Sequence, residues 1–335
     1  VFFLLLGIIA VSVTTIINLA IVWWIDRFEK QPIWLLVLVF FWGAIPAIVA
    51  AMIFSVFAGI PLYVIVGPNA MMPAYAVFGA PFIEELGKAA ALLVLFLVLY
   101  KEFDDILDGM IFGAAVGIGF AYTEDITYLM GTLVQGGVAA MGFVFFLRVI
   151  VFALNHAFFT ALTGIGLGLA RLSGNWLLGI FYAFFGLLAA MAAHAAHNFL
   201  VSIPGTEIQI MGVAFSILIH WTAGAAFVAL VIVVWVIEMG WVRRKLAEEV
   251  DAGHVTQYEV DNLIRFSGRL KLQFKFLFNF DIIGYFRLRK LRNLLVKLAF
   301  KKRAYEHKPR KKLGDRVEQI RARVAAVRTK LAHAS

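Results

Sequence analysis

Cysteine is absent from the 335 residues, which removes disulfide frameworks, thiolate nucleophiles and cysteine-type metal sites from consideration. Any hydrolytic or ligating chemistry must rest on Glu, Asp, His or hydroxyl groups. Charge is also scarce: Asp, Glu, Lys and Arg make up 15% of the chain against 62% hydrophobic residues. With a mean hydropathy of +0.90, the chain is far more apolar than a soluble domain of similar length. The shortage is uneven. Residues 1–240 contain six Lys/Arg and twelve Asp/Glu, a net of −6, whereas 241–335 contain 24 and nine, a net of +15. A boundary near Gly240 separates an apolar domain from a basic tail.

What is there is mostly spanning sequence. Apolar windows of roughly 20 residues or more run at 1–25, 33–57, 76–100, 107–132, 138–170, 176–203 and 208–238. The expected fold is all-α, a polytopic transmembrane helical bundle of seven spans with a basic helical cytoplasmic tail. An eighth span would require 58–75 to cross, but Gly59, Pro61, Gly67, Pro68 and Pro73 make that stretch read as a loop or interfacial segment. The first window, with no basic region before it, reads as a spanning helix rather than a signal peptide.

Cations set the expected orientation. Arg27 and Lys30 follow the first window, Lys101 the third, Arg171 the fifth, and Arg243, Arg244 and Lys245 the seventh; the alternate connections have none. The positive-inside bias then places the N-terminus outside and the C-terminus in the cytoplasm.

Against this background, Glu84, Glu85 and Lys88 interrupt a window that is otherwise apolar, Gly or Pro. A charge near a bilayer centre costs at least about 2.5 to 3.5 kcal/mol on insertion scales, so three together call for a use. Glu84 and Lys88 are four apart and share a helix face; Glu85 points about 100° away and needs another partner. Counting from the outer surface at about 1.5 Å per residue places Glu84 and Glu85 roughly 13 Å down. Glu124 and Asp125, Arg148, His156, and the set His194, His197 and Asn198 fall at comparable depths on three further helices. Gly113 with Gly117, and Gly164 with Gly168, have the small-xxx-small spacing that lets helices approach closely. One buried polar cluster is expected. His220, alone in the last window, reads as a packing residue.

In order, Glu84-Glu85-x-x-Lys88, Asp105-x-x-Asp108-Gly109, Gly119-Phe120-Ala121-x-x-Glu124, Arg148, Asn155-His156-Ala157-x-x-Thr160-Ala161-x-x-Gly164 and His194-x-x-x-Asn198 resemble the PrsW family of intramembrane proteases, distant relatives of the CAAX prenyl endopeptidases. The resemblance covers about residues 76–202. Members usually have Asn where this chain has Asp125, often Glu where it has Asp105, and an aromatic where it has His197. The resemblance implies an endopeptidase acting on membrane-protein substrates in a bacterial cytoplasmic membrane, with an anti-sigma factor as one such substrate.

It also implies roles. Water activation falls to Glu84 and Glu85, with Glu85 the base and Glu84 held by Lys88, or the reverse. His156 and His194 bind the oxyanion or donate the proton, Glu124 orients an imidazole and Asn198 fixes the peptide, with Arg148, Asp125 and His197 in support. Alternatively Glu85, Glu124, His156 and His194 hold a Zn2+ with an open position, although no helical His-Glu-x-x-His occurs. Two other classes compete: an ion- or proton-coupled transporter, which predicts inverted repeats that the sequence lacks, and an inactive scaffold, which the intact Glu and His set disfavours.

The tail lies outside the resemblance. Thr256 to Glu259 forms a capping box. From Arg265 to Arg303, Leu, Phe and Ile mix with Lys and Arg, the pattern of a surface attracted to anionic lipid; a small helical domain is the rival reading. No nucleic-acid recognition motif is present. Leu313, Val317, Ile320, Val324, Val327 and Leu331 form a short heptad seam, available to the tail's own helices, a second copy or a partner.

Overall fold

The computed structural model describes residues 2–25, 30–100, 102–202, 206–264, 266–307 and 311–332. Arg27 and Lys101, two of the cations that set the expected orientation, lie outside them. The described residues contain no strand. By contacts the chain forms two units that divide at Val231 and Ile232, inside a continuous helix.

In the first unit, α1 (Phe2–Ile25) is followed by α2 (Ile33–Trp42), which passes through a π-helical turn (Gly43–Ala47) into α3 (Ile48–Val66). Pro46 lies in that turn; it has no N–H to donate and its ring displaces the carbonyl one turn back, so the ladder widens there. The stretch 58–75 is helical rather than a loop. After α3 the chain breaks only at Gly67 (φ 78), then continues as α4 (Pro68–Ala74). Pro68 sits in the first turn of α4, where no intrahelical N–H bond is needed. A second π turn (Tyr75–Gly79) leads into α5 (Ala80–Val98).

Helix α6 (Ile106–Phe145) opens on a capping box: the Asp108 N–H donates to Asp105 Oδ1 at 2.9 Å, and Asp108 Oδ2 accepts from the Asp105 N–H at 3.2 Å. It reverses at Gly137 (φ 73). A third π turn (Phe146–Val151), α7 (Asn155–Leu172), α8 (Trp176–Ser202) and α9 (Thr206–Asp251) complete the series.

Among the described residues, five stretches are long and apolar enough to cross a membrane: Phe2–Ile25, Ile33–Val66, Ile106–Leu172, Trp176–Ser202 and Glu207–Asp251. The 67 residues of Ile106–Leu172 would make a rod of about 100 Å, more than three bilayer cores. They fold back instead. A Cβ on Gly109 would strike the Gly164 backbone, one on Gly113 that of Thr160, and one on Gly117 that of His156. The members of each pair are equally distant from Gly136–Gly137, so α6 and α7 run antiparallel with backbone against backbone. Gly166 and Gly186 bring α7 and α8 together in the same way.

Helix α2 runs parallel to α6, with Gln31 Nε2 donating to Asp108 Oδ1 near one end and Thr123 Oγ1 donating to the Ala44 carbonyl at 2.7 Å further along. Helix α5, 19 residues long, carries Glu84, Glu85 and Lys88. Counting it, and the two legs of Ile106–Leu172 separately, the described residues hold seven helical segments at the positions of the seven apolar windows.

The second unit holds the end of α9, then α10 (Gln257–Glu259), a π turn (Val260–Ile264), α11 (Phe266–Phe278), α12 (Ile282–His307) and α13 (Lys311–Ala332). It has a core of its own, with Trp241 and Leu246 of α9 joining Leu295 and Leu298 of α12. Val317, Ile320, Val324 and Val327 of the heptad seam are buried in that core, so the seam is used within the chain. Glu249, fully buried, accepts from Lys302 Nζ at 2.8 Å and from Arg321 Nε and Nη2 at 2.8 and 2.6 Å.

Two predictions follow from packing and from charge. Gly113→Leu or Gly117→Leu should destabilise the α6–α7 pair by at least ~1–3 kcal/mol, whereas Gly142→Ala, at a site with open space, should be neutral; thermal unfolding in detergent measures both. In the second unit, Glu249→Gln should cost ~1.5–3 kcal/mol by weakening the charged hydrogen bonds from Lys302 and Arg321, seen as faster amide exchange in α12 and α13 with α6 and α7 unchanged.

A third prediction concerns pH. Burial pushes the Glu259 carboxyl up, but the Arg328 guanidinium at 2.7 and 2.8 Å and the Thr256 N–H outweigh it and hold the group below the usual carboxylate range. Its contribution is complete above the unfolded value of about 4.3 and is lost as pH falls through the lower folded value. Exchange protection of this unit, corrected for intrinsic rates, should decline in that window, and Arg328→Ala should blunt the decline.

Candidate active site

The site lies wholly within the first unit and is built where helices depart from regular geometry. The π turn Tyr75–Gly79 leads directly into α5 and so aims Glu84 and Glu85. The π turn Phe146–Val151 carries Arg148. The chain then leaves helical geometry at Phe152–Leu154, which places His156 in the first turn of α7. Such π segments concentrate at functional positions. Trp42, one residue before the first π turn, donates its indole N–H to the Gly87 carbonyl at 3.1 Å and ties that turn to α5.

Lys88 is the centre of the cluster. Fully buried, its Nζ donates to Glu85 Oε1 at 2.7 Å, lies 3.0 Å from His156 Nδ1 and 3.7 Å from Glu84 Oε2, and sits 3.9 Å above the Phe120 ring. The spacing argument expects Lys88 to pair with Glu84 across four residues. In the structure the three-residue pair with Glu85 is the closer one, because the side chain leans toward the buried interior of the bundle, where His156 offers a second contact.

Glu85 is fully engaged. Besides Lys88, it accepts from Thr160 Oγ1 at 3.1 Å on Oε2 and meets His194 Nδ1 at 3.1 Å on Oε1. Glu84 differs: its Oε2 is buried, has no hydrogen-bond partner, and lies 3.9 Å from His194 Nε2. Glu84, His156 and His194 each bring one ligating atom, and these three atoms lie within 4.8 Å of one another. The Phe159 ring stacks on His194, with centroids 4.9 Å apart and planes at 16°, fixing the imidazole from its flat side.

Glu124 closes the other side. Its Oε2 is 2.8 Å from His156 Nε2 and accepts from Arg148 Nη2 at 2.7 Å, while Arg148 Nε donates to Asp125 Oδ1 at 2.8 Å. Glu84, Glu85, Glu124, His156 and His194 thus come together, with Lys88, Arg148 and Asp125 beside them. His197 and Asn198 do not join them. His197 meets Asn155 Nδ2 at 3.1 Å and Ser216 Oγ at 2.7 Å, and Asn198 Nδ2 donates to the Ala76 carbonyl at 2.8 Å, bracing the second π turn. His220 packs edge-on against Phe152 with centroids 5.9 Å apart. Ser216 and Phe159 have no distinguishing signal in the sequence, being one hydroxyl and one aromatic ring in apolar helices.

The donor set tests well against a metal. Two imidazoles and a carboxylate are a catalytic zinc set, and the buried Glu84 Oε2 makes no hydrogen bond, its nearest cation being Lys88 Nζ at 3.7 Å. The Glu85 contact on Nδ1 supplies the outer-shell carboxylate that turns His194 Nε2 inward.

Residues 31–239 match the family described as PrsW family intramembrane metalloprotease. The chain is 25% identical over 203 residues to the protein named Protease PrsW of Bacillus subtilis (strain 168), an overlap of 58% of this chain and 82% of the relative. It is 27% identical over 146 residues to Protease PrsW of Geobacillus kaustophilus (strain HTA426), covering 44% of this chain and 58% of that relative. No solved structure matches it. With the family's match spanning most of the chain and the apolar helices that it requires, the protein is an integral membrane protease that belongs to the PrsW family.

Proposed function

We propose that this protease cuts membrane-protein substrates at the Glu84–His156–His194 cluster, near the extracytoplasmic end of the substrate's membrane segment. The observation that carries the reading is the convergence of one ligating atom each from Glu84, His156 and His194 within 4.8 Å, with the buried Glu84 Oε2 making no hydrogen bond. Glu84, His156 and His194 would hold a zinc ion, which when bound acts as a Lewis acid and lowers the pKa of water.

The chain's own residues do the rest. Glu85, locked by Lys88 and Thr160, fixes the tautomer of His194 through Nδ1. Lys88 offsets the charge of the two adjacent carboxylates. Glu124 is the most open of the three glutamates, with 18% side-chain exposure against 12% for Glu84 and none for Glu85. It takes the proton of the attacking water and returns it to the leaving amine, with Arg148 and Asp125 holding it in place. Buried Met110, Phe112 and Val116 of α6 and Leu92 and Leu95 of α5 seal the cluster from the cytoplasmic side in the orientation proposed from the cations. A single-span protein with an outer domain, of the anti-sigma-factor kind, is the substrate class in view.

Metal analysis of purified protein, paired with cleavage assays with and without chelator, separates these roles. Glu84→Gln should lose both zinc and activity. Glu124→Gln should keep zinc and lose activity by ~100-fold or more; zinc loss there would make Glu124 a ligand instead. Full cleavage by chelated, metal-free protein would sink the metal reading. Because the chain lacks cysteine, single cysteines at positions 84, 124 and 194 can be labelled from either side with a small membrane-impermeant thiol reagent. Labelling from outside is expected, and labelling mainly from the cytoplasm would overturn both the orientation and the cleavage side.

A further inference from the structure

The second unit buries its seam yet leaves one apolar surface uncovered. Where α11 turns into α12, Phe278, Phe280, Ile282, Ile283 and Phe286 are all exposed, Phe280 to 89%. Phe280 is also the one non-glycine residue with positive φ (55°) among those described, a rare backbone state for a bulky side chain. Asp281, the acidic residue at this tip, turns its Oδ1 onto the Gly284 N–H at 2.7 Å and caps α12. Among the described residues, nothing in its own unit covers the ring of Phe280.

Phe286 belongs at once to this tip and to a neighbouring groove of about 340 Å³, whose other lining residues include Arg289, Lys290, Lys297 and Arg323. No carboxylate lines the groove. Three cations elsewhere in the unit are paired, Lys302 and Arg321 with Glu249 and Arg328 with Glu259. The four at the groove take part in no such pair among the described residues. An apolar tip that needs hydrocarbon, adjoining unneutralised cations that need anions, matches the two layers of a phospholipid surface.

We propose that the α11–α12 hairpin is an anionic-lipid anchor, in which the Phe and Ile tip enters the acyl boundary while Arg289, Lys290, Lys297 and Arg323 hold lipid phosphates. Both halves are required. Cations alone would suit a nucleic acid, but the exposed tip would then remain in water; the tip alone would suit any apolar partner, but would leave four like charges uncompensated. The tail belongs to a membrane protein, so a lipid surface is always within reach, and a bilayer satisfies both layers without a specific partner.

The absence of native cysteine makes the test direct. Full-length Phe280→Cys protein, spin-labelled, is reconstituted into vesicles of phosphatidylcholine alone or of phosphatidylcholine mixed with phosphatidylglycerol. Collision with oxygen reports the label's depth, and collision with a water-soluble nickel chelate reports its exposure. The label should leave water in the phosphatidylglycerol vesicles, and changing any one of the four cations to Gln should weaken that insertion about fivefold. Ile282→Ser with Ile283→Ser, cations intact, should make it shallower; circular dichroism verifies that each variant is folded. A label still exposed to nickel in the anionic vesicles overturns the proposal. So does insertion that is equal in both compositions, or protection by added RNA where vesicles give none.

Discussion

A cation buried among carboxylates and imidazoles, inside a bundle whose outer surface is hydrocarbon, is the constraint on which the first unit depends. Lys88 has no exposed surface, and an ammonium without partners there would be prohibitive. It is tolerated because Glu85, Glu84, His156 and the face of Phe120 surround it. Each partner is itself held: Glu85 by Thr160 and His194, His156 by Glu124, and Glu124 by Arg148. The network leaves one carboxylate oxygen, on Glu84, buried without a hydrogen bond. That exception is the oxygen on which the proposed zinc site rests.

The helices can bring these groups together because their regularity lapses at the right levels. Three π turns flank the cluster, at Gly43–Ala47, Tyr75–Gly79 and Phe146–Val151. The latter two precede α5 and α7, which carry Glu84, Glu85, Lys88 and His156, and the first is tied to α5 by Trp42. The glycines of α6 and α7 do the complementary work. By allowing backbone contact they bring Glu124 and Arg148 within ion-pair distance of each other, and His156 within reach of both Glu124 and Lys88.

Much of this was legible in the sequence, and for physical reasons. Charges in a hydrocarbon-length window are costly enough to flag Glu84, Glu85, Lys88, Glu124, Asp125 and Arg148 without a structure, and hydropathy fixed the succession of helices. What escaped was local. A π turn widens a hydrogen-bond ladder without changing composition, so the turn that aims α5 has no sequence signature. Pro61, Pro68 and Pro73 suggested a loop at 58–75, yet Pro68 starts a helix and the other two lie within helices whose freed backbone groups neighbouring segments can satisfy. Spacing paired Lys88 with Glu84, but only the location of the interior decides between neighbours three and four residues away. In the tail, α12 has both the basic and the apolar residues of a surface helix; that Leu295 and Leu298 meet a core while Phe286 does not depends on partners that composition cannot reveal.

The glycine contacts also determine which parts of the site can move. Helices α6, α7 and α8 touch through glycines at backbone distance, an interface with almost no side-chain freedom to absorb sliding, so Glu124, Arg148, His156 and His194 form a single stiff block. Glu84, Glu85 and Lys88 arrive on a different piece, α5, whose entry is a π turn tied by Asn198 and whose Gly87 carbonyl is tied by Trp42. The site is therefore divided along a seam between a stiff block of three helices and α5, which is held to it by polar contacts of Glu85, Lys88 and the Ala76 carbonyl. A shift of α5 along its axis by the rise of one residue, about 1.5 Å, would separate the carboxylates from both imidazoles at once while leaving the block intact.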